Sequence, residues 1–283
     1  MRKIVLVVAA FISLAASAQV TGQFVEEHAV NISDRTAAND TLYNAVKDYK
    51  AIMVGGPHGV KETPEFVLGL VKSLQKGGKK VVCAFEIASD GLKNFKKDPT
   101  LDALKKSTFF TTKSPDGKQC LAWAQMLVEL QALNVEILYI DLDLAQKGDE
   151  KLSRDSIMYE NLNAAFKTDT TRVLVTLTNN LSNKLTPIKG LKNNLVYYMQ
   201  KDGRSSFKNQ KILSLNHYYG KGTTMNWAND GYKLRDVEGN AVFYEYATSY
   251  DNYLLIYGAQ DGYNGIFFSK TITASPLLVG KSQ

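Results

Sequence analysis

The chain is poor in the residues that most often carry chemistry. Of its 283 residues, two are cysteines and three are histidines. The two cysteines are Cys83 and Cys120, and an oxidising compartment would permit a disulfide between them. Neither has a histidine nearby in sequence, which argues against a nucleophilic thiol. One disulfide and two free thiols are both open readings. No G-x-S-x-G elbow is present, so a serine hydrolase of the common α/β type has no support. H-E-x-x-H, a Walker loop and G-x-G-x-x-G are missing too. Asp141-Leu142-Asp143 is too short for a calcium loop. Past Ala16 no run is apolar enough to cross a bilayer, so no transmembrane segment is expected. The sequence has no internal repeat and no low-complexity tract. Its 34 basic and 28 acidic residues give +6. The basic residues are scattered in pairs such as Lys79-Lys80, Lys96-Lys97 and Lys105-Lys106. No aromatic-basic motif accompanies them, so no nucleic-acid partner is expected.

What is present begins with a leader. Arg2-Lys3 precedes the apolar stretch Ile4 to Ala16, and Ala16-Ser17-Ala18 has the small-x-small cleavage pattern. Residues 1–18 read as a signal peptide, and the mature protein as exported, periplasmic or secreted. Without Arg2 and Lys3 the charge is 32 − 28 = +4. Residues 19–283 read as one domain. With 45% hydrophobic and 22% charged residues, the composition is ordinary for a globular fold.

From residue 50 to about 180, strand and helix patterns alternate. Strands are predicted at Lys50–Val54, Lys80–Phe85, Val135–Ile140 and Arg172–Leu177. Helices are predicted at Pro64–Gln75, Gln119–Leu133 and Arg154–Phe166, with Thr63 and Ser153 as caps. A lysine-rich segment with a short helix covers Asp90 to Lys106. The expectation is an α/β fold with a mostly parallel sheet flanked by helices. Past residue 190, Leu195–Met199, Lys211–Asn216, Ala241–Ala247, Tyr253–Tyr257 and Gly265–Phe268 read as strands of a Tyr-rich C-terminal β extension.

Polar residues recur where the first four strands end. Gly55-Gly56-Pro57-His58 and Glu62 follow the first, and Glu86 the second. Asp141 and Asp143 follow the third, with Arg154-Asp155 at the next helix start. Asn179 and Asn180 follow the fourth. In a parallel sheet these ends share one edge, where ligands bind. A histidine among carboxylates suits acid–base chemistry or metal ligation. Arg154 is placed to orient a carboxylate or hold an anion. Asp116 makes a turn with Gly117 and can reach the same edge. His217 either joins the site or sits half-buried among tyrosines, and the second reading is preferred.

These segments resemble a known group. Gly55-Gly56-Pro57-His58-Gly59 with Glu62 looks like the G-E-x-H-G-x-x-E signature of the erythromycin esterase, Tiki and haem-binding ChaN superfamily. Glu86 resembles its second acidic motif, and Asp116-Gly117-Lys118 its D-G-R element. Arg154 to Asn161 resembles its R-D-x-x-M-A-x-N helix, and Thr271 to Pro276 its closing T-A-S-P segment. Two positions depart from the pattern. Gly56 stands where the group has Glu, and the late G-N-x-H motif falls on Thr178-Asn179-Asn180-Leu181, without its histidine.

The resemblance implies an α/β sandwich whose site is on the strand-end edge. It also implies metal-dependent proteolysis, metal-free ester hydrolysis or haem binding. The leading expectation is a hydrolase of a small-molecule or peptide substrate, with His58, Glu62, Glu86 and Arg154 catalytic. Gly55, Asp116, Asp141, Asp155 and Asn180 are expected to bind, and His58 and Glu86 to take a divalent metal if one is used. A haem or iron-compound carrier and a catalytically inactive member are the alternatives.

Overall fold

A computed structural model describes residues 22–142, 153–167, 169–186, 193–228, 231–239, 249–260 and 262–280. The predicted leader, Asp143 and the predicted strand Ala241–Ala247 lie outside them. The described elements in chain order begin with α1 (Gly22–His28), β1 (Val30–Asn31), α2 (Asp40–Val46), β2 (Ala51–Gly55), α3 (Glu62–Lys76) and β3 (Val81–Ala88). Next come α4 (Lys93–Lys97), α5 (Leu101–Lys105), α6 (Leu121–Ala132), β4 (Glu136–Asp141), α7 (Arg154–Phe166) and β5 (Val173–Thr178). The last are α8 (Leu195–Lys201), β6 (Ile212–Ala228), β7 (Gly231–Glu238), β8 (Asn252–Gln260) and β9 (Tyr263–Ile272).

Among the described residues, nine strands form one sheet in the order β1-β8-β9-β6-β2-β5-β3-β4, with β7 pairing β6. The run from β9 to β4 is parallel throughout. β1, β7 and β8 pair antiparallel. The expected α/β architecture is therefore observed. Both faces are covered, which explains why the central strands read as continuous apolar runs rather than alternating ones. On one face Ile52, Val54, Cys83 and Phe85 pack with Phe66, Leu70, Trp123 and Leu127 from α3 and α6. On the other, Ala51, Met53, Val82 and Ala84 pack with Met158, Leu162, Val196 and Met199 from α7 and α8. Both cysteines are buried and free, which settles the thiol question.

The chain leaves β2 toward β3 through α3, on one face. It leaves β5 toward β6 through α8, on the other. The two loops part over adjacent strands, and in such sheets the crevice at that point is where ligands bind. Among the described residues no helix is long and apolar enough to cross a membrane.

Two local expectations fail. Leu195–Met199 is helix α8 rather than a strand. Asn194 caps it by accepting from the Tyr197 amide, and its Leu-Val-Tyr-Tyr-Met run buries one side against α7. Tertiary packing overrides β-propensity there. Helix α3 starts at Glu62, after Lys61, and Thr63 is not its cap. Thr63 instead sits inside the first turn, where its hydroxyl meets His217.

Candidate active site

The β2–α3 loop carries His58 out over the sheet edge. Gly55 is required there, because a Cβ on it would lie 2.7 Å from Asn180 Cα and 2.8 Å from Asn183 Nδ2. Gly59 takes φ +72° and leaves 1.8 Å between an added Cβ and the Met225 carbonyl oxygen. The loop is sewn down from three sides. Thr224 Oγ1 donates to the His58 carbonyl at 2.7 Å, and the Met225 and Ser275 amides both donate to Gly59 O. Ser275 Oγ also accepts from the Ala122 amide at 3.0 Å, so the T-A-S-P segment ties the His58 loop to α6.

His58 Nδ1 lies 3.1 Å from the backbone carbonyl oxygen of Asp116. A carbonyl only accepts, so Nδ1 carries the hydrogen and Nε2 keeps its lone pair. Burial, and then the Lys118 charge, lower the His58 pKa from 6.5, outweighing Asp116 and Glu86. The Asp116-Gly117 turn lies directly on this loop. Gly117 has φ +98°, and a Cβ on it would meet His58 Cβ at 2.7 Å.

Glu86 leaves β3 on the same face as Ala84, toward the start of α7, by the alternation of a strand. It is 2% exposed. Its Oε1 lies 2.6 Å from Arg154 Nη1 and 3.7 Å from Lys118 Nζ, and its Oε2 accepts from the Asn179 amide at 2.7 Å. Arg154 also donates from Nε and Nη2 to both oxygens of Asp141, at 2.7 and 2.6 Å. Those bonds raise the Arg154 pKa further. Burial pushes Asp141 up, but Arg154 outweighs it and the net shift is down. Asp116 is likewise lowered: burial raises it, and Lys118, 3.0 Å from its Oδ2, and His58 prevail.

Asp155 follows Arg154 and faces the same centre. Burial raises its pKa, and its Oδ1 is a buried atom without a hydrogen-bond partner. Asn180 contributes backbone: its carbonyl accepts from Tyr263 Oη at 2.7 Å. Leu181, where the resembled motif has its late histidine, is 45% exposed.

Glu62 is the sequence candidate that the structure does not bring to this cluster. Its Oε2 accepts from the Thr273 amide at 3.0 Å, and its Oε1 lies 3.8 Å from Arg35 Nη2. Because α3 begins at Glu62, the side chain projects toward β9 instead of toward His58. His217 also stands apart. It is buried, with Nδ1 2.7 Å from Thr63 Oγ1 and Nε2 3.0 Å from Ser269 Oγ. Burial brings its pKa down to about 3. A Cβ on Gly56 would lie 2.7 Å from His217 Cβ, so this histidine fills the space a side chain at 56 needs.

The structure adds two residues that sequence reasoning passed over. Lys118, 4% exposed, stands between Glu86 and Asp116. Its signal was its place after Asp116-Gly117, where the resembled element has arginine. Tyr232, from the unforeseen strand β7, has a buried hydroxyl without a partner, and burial, then Cys120 and Asp116, raise its pKa. Nothing in its sequence context pointed to the site.

The donor set does not fit a divalent metal. Arg154 pairs with Glu86 and Asp141, and Lys118 with Glu86 and Asp116, so each of these three carboxylates already faces a cation. Among the described residues no three His, Cys, Asp or Glu side chains form a metal nest. The pairing of His58 with Glu86 as ligands is therefore not what the geometry offers. Two of the described C-terminal tyrosines are committed to packing. Tyr253 is buried and stacked on Phe268, and Tyr263 is buried against Asn180.

Neither a family model nor a curated protein sequence matches the chain. Solved structures do share its fold. A succinoglycan biosynthesis protein has 9% identity and a TM-score of 0.67, over 90% of this chain and 97% of that one. A protein from Bacillus cereus has 10% identity and a TM-score of 0.64, over 90% and 98%. A mutant of the erythromycin esterase EreC, in its open conformation, has 10% identity and a TM-score of 0.57, over 84% and 95%. The fold is thus one that a hydrolase also uses.

Proposed function

We propose that this protein is an exported, metal-free hydrolase of ester-type acyl bonds in small molecules, with His58 as general base. The observation that carries this reading is the contact of His58 Nδ1 with the Asp116 carbonyl, which leaves Nε2 of the neutral ring unprotonated, with Lys118 as the neighbouring cation. In the reaction, Nε2 takes a proton from water as the water oxygen bonds to the substrate carbonyl carbon. Negative charge growing on the carbonyl oxygen is met by Lys118, whose ammonium carries three donors. Collapse breaks the bond to the alcohol oxygen, which recovers the proton from the imidazolium. Glu86 and Asp141 position Arg154, and the Asp116 carbonyl holds the imidazole. The fold shared with an erythromycin esterase supports the ester class.

A panel of aryl esters, alkyl esters and lactones, read by chromatography of the products, tests this. Turnover by the native chain should fall at least ~100-fold in His58→Ala. Undiminished turnover in the variant would remove His58 from the chemistry.

A further inference from the structure

A concave site lies farther along the same sheet edge, between the N-terminal segment and the β8–β9 pair. It is a cavity of about 590 Å³, within the usual size of small-ligand pockets. No member of the His58 cluster lines it. Its wall is polar: Asn31, Ser33, Asn252, Thr271 and Thr273 contribute amides and hydroxyls, Tyr250 a phenol, and Ile32 is the one aliphatic side chain among the described lining residues.

The charges around it balance. Arg35 and Lys270 oppose Glu62 and Asp251. Arg35 is already committed, donating to Glu65 Oε2 from Nε and Nη2 at 2.9 and 2.8 Å and to Asn252 Oδ1 from Nη1 at 2.9 Å. It therefore offers little to an incoming anion. Glu62 lines the cavity from a buried position, 2% exposed. Among the described residues, no side-chain donor is closer to its Oε1 than Arg35 at 3.8 Å. Burial raises its pKa. A carboxylate oxygen with spare acceptor capacity calls for a ligand that donates.

We propose that this cavity binds a neutral saccharide. A pyranose carries hydroxyls that both donate and accept, which matches the Asn, Ser and Thr wall. Its lack of charge matches the balanced field, and a hydroxyl can donate to the Glu62 carboxylate beside the Thr273 amide. An apolar ligand would leave these polar groups without partners.

The test is direct. The purified protein is titrated with glucose, galactose, mannose, N-acetylglucosamine, maltose and lactose, followed by saturation-transfer NMR and calorimetry. At least one sugar should bind with a Kd of ~10 mM or tighter. Thr271→Trp places a bulky group at an exposed lining position and should abolish that binding without endangering the fold. Glu62→Gln should weaken it about tenfold. His58→Ala should leave it unchanged. Three results would each overturn the proposal: no sugar binding, binding that survives Thr271→Trp, or binding of glycine and lysine in place of the sugars.

Discussion

At the scale of single residues, the three histidines separate by their surroundings. His217 is neutral because it is enclosed, with a hydroxyl on each nitrogen and no anion nearby. Its folded pKa of about 3 lies below the ordinary 6.5. The stability this contributes is complete above pH 6.5 and is lost as pH falls toward 3. The full effect is on the order of 5 kcal/mol. Urea midpoints at pH 7 and pH 4 should differ more in the native chain than in His217→Gln; an equal acid loss in both would contradict this. Glu86 poses the opposite case, a buried carboxylate held by Arg154. Arg154→Ala should cost about 2–3 kcal/mol, somewhat under the ~3–5 kcal/mol of a fully buried pair, because Arg154 is half-exposed and Lys118 remains. Adding Glu86→Gln should recover part of that loss. Urea denaturation of the four members of the cycle measures it, and strictly additive costs would rule the coupling out.

At the scale of elements, the His58 loop depends on a strand distant in sequence. The far half of β6 runs over Gly59 so closely that only glycine fits, and φ +72° excludes other residues independently. Gly59→Ala should cost at least ~2 kcal/mol and shift the His58 resonances. Gly203→Ala, with nothing within 4 Å of its added Cβ, should change stability little. Thermal melts of the two variants compare them, and equal melting temperatures would refute the role of that contact. Much of this level was legible in the sequence. The β2, β3, β4 and β5 runs, the Ser153 cap and the Asp116-Gly117 turn all follow from local pattern. The rest depended on contacts local pattern does not carry. Leu195–Met199 became helix because Asn194 caps it and α7 covers it. β7 was missed because its alternating polar sequence has no strong apolar face.

At the scale of the whole molecule, the sheet order makes the site. Four strand ends of one parallel run, those of β2, β3, β4 and β5, bring His58, Glu86, Asp141 and Asn179 together, and the loops after β2 and β5 part above them. That convergence could be read from strand ends alone. The electrostatic character could not, since it turns on Lys118, a loop lysine that enters the interior beside Glu86 and takes up its charge. Glu62 was misplaced for a related reason: a helix beginning two residues earlier rotates it away from His58. On the proposed function, His58 at this edge is a neutral base and not a metal ligand. With three histidines in the chain, nitrogen-15 NMR of the imidazoles, recorded from pH 4 to 8 with and without added zinc, tests it most directly. His58 should be the Nδ1–H tautomer at pH 7, titrate below 6.5 and ignore zinc. A His58 that is charged at pH 7, carries its hydrogen on Nε2 or shifts on binding zinc would contradict it.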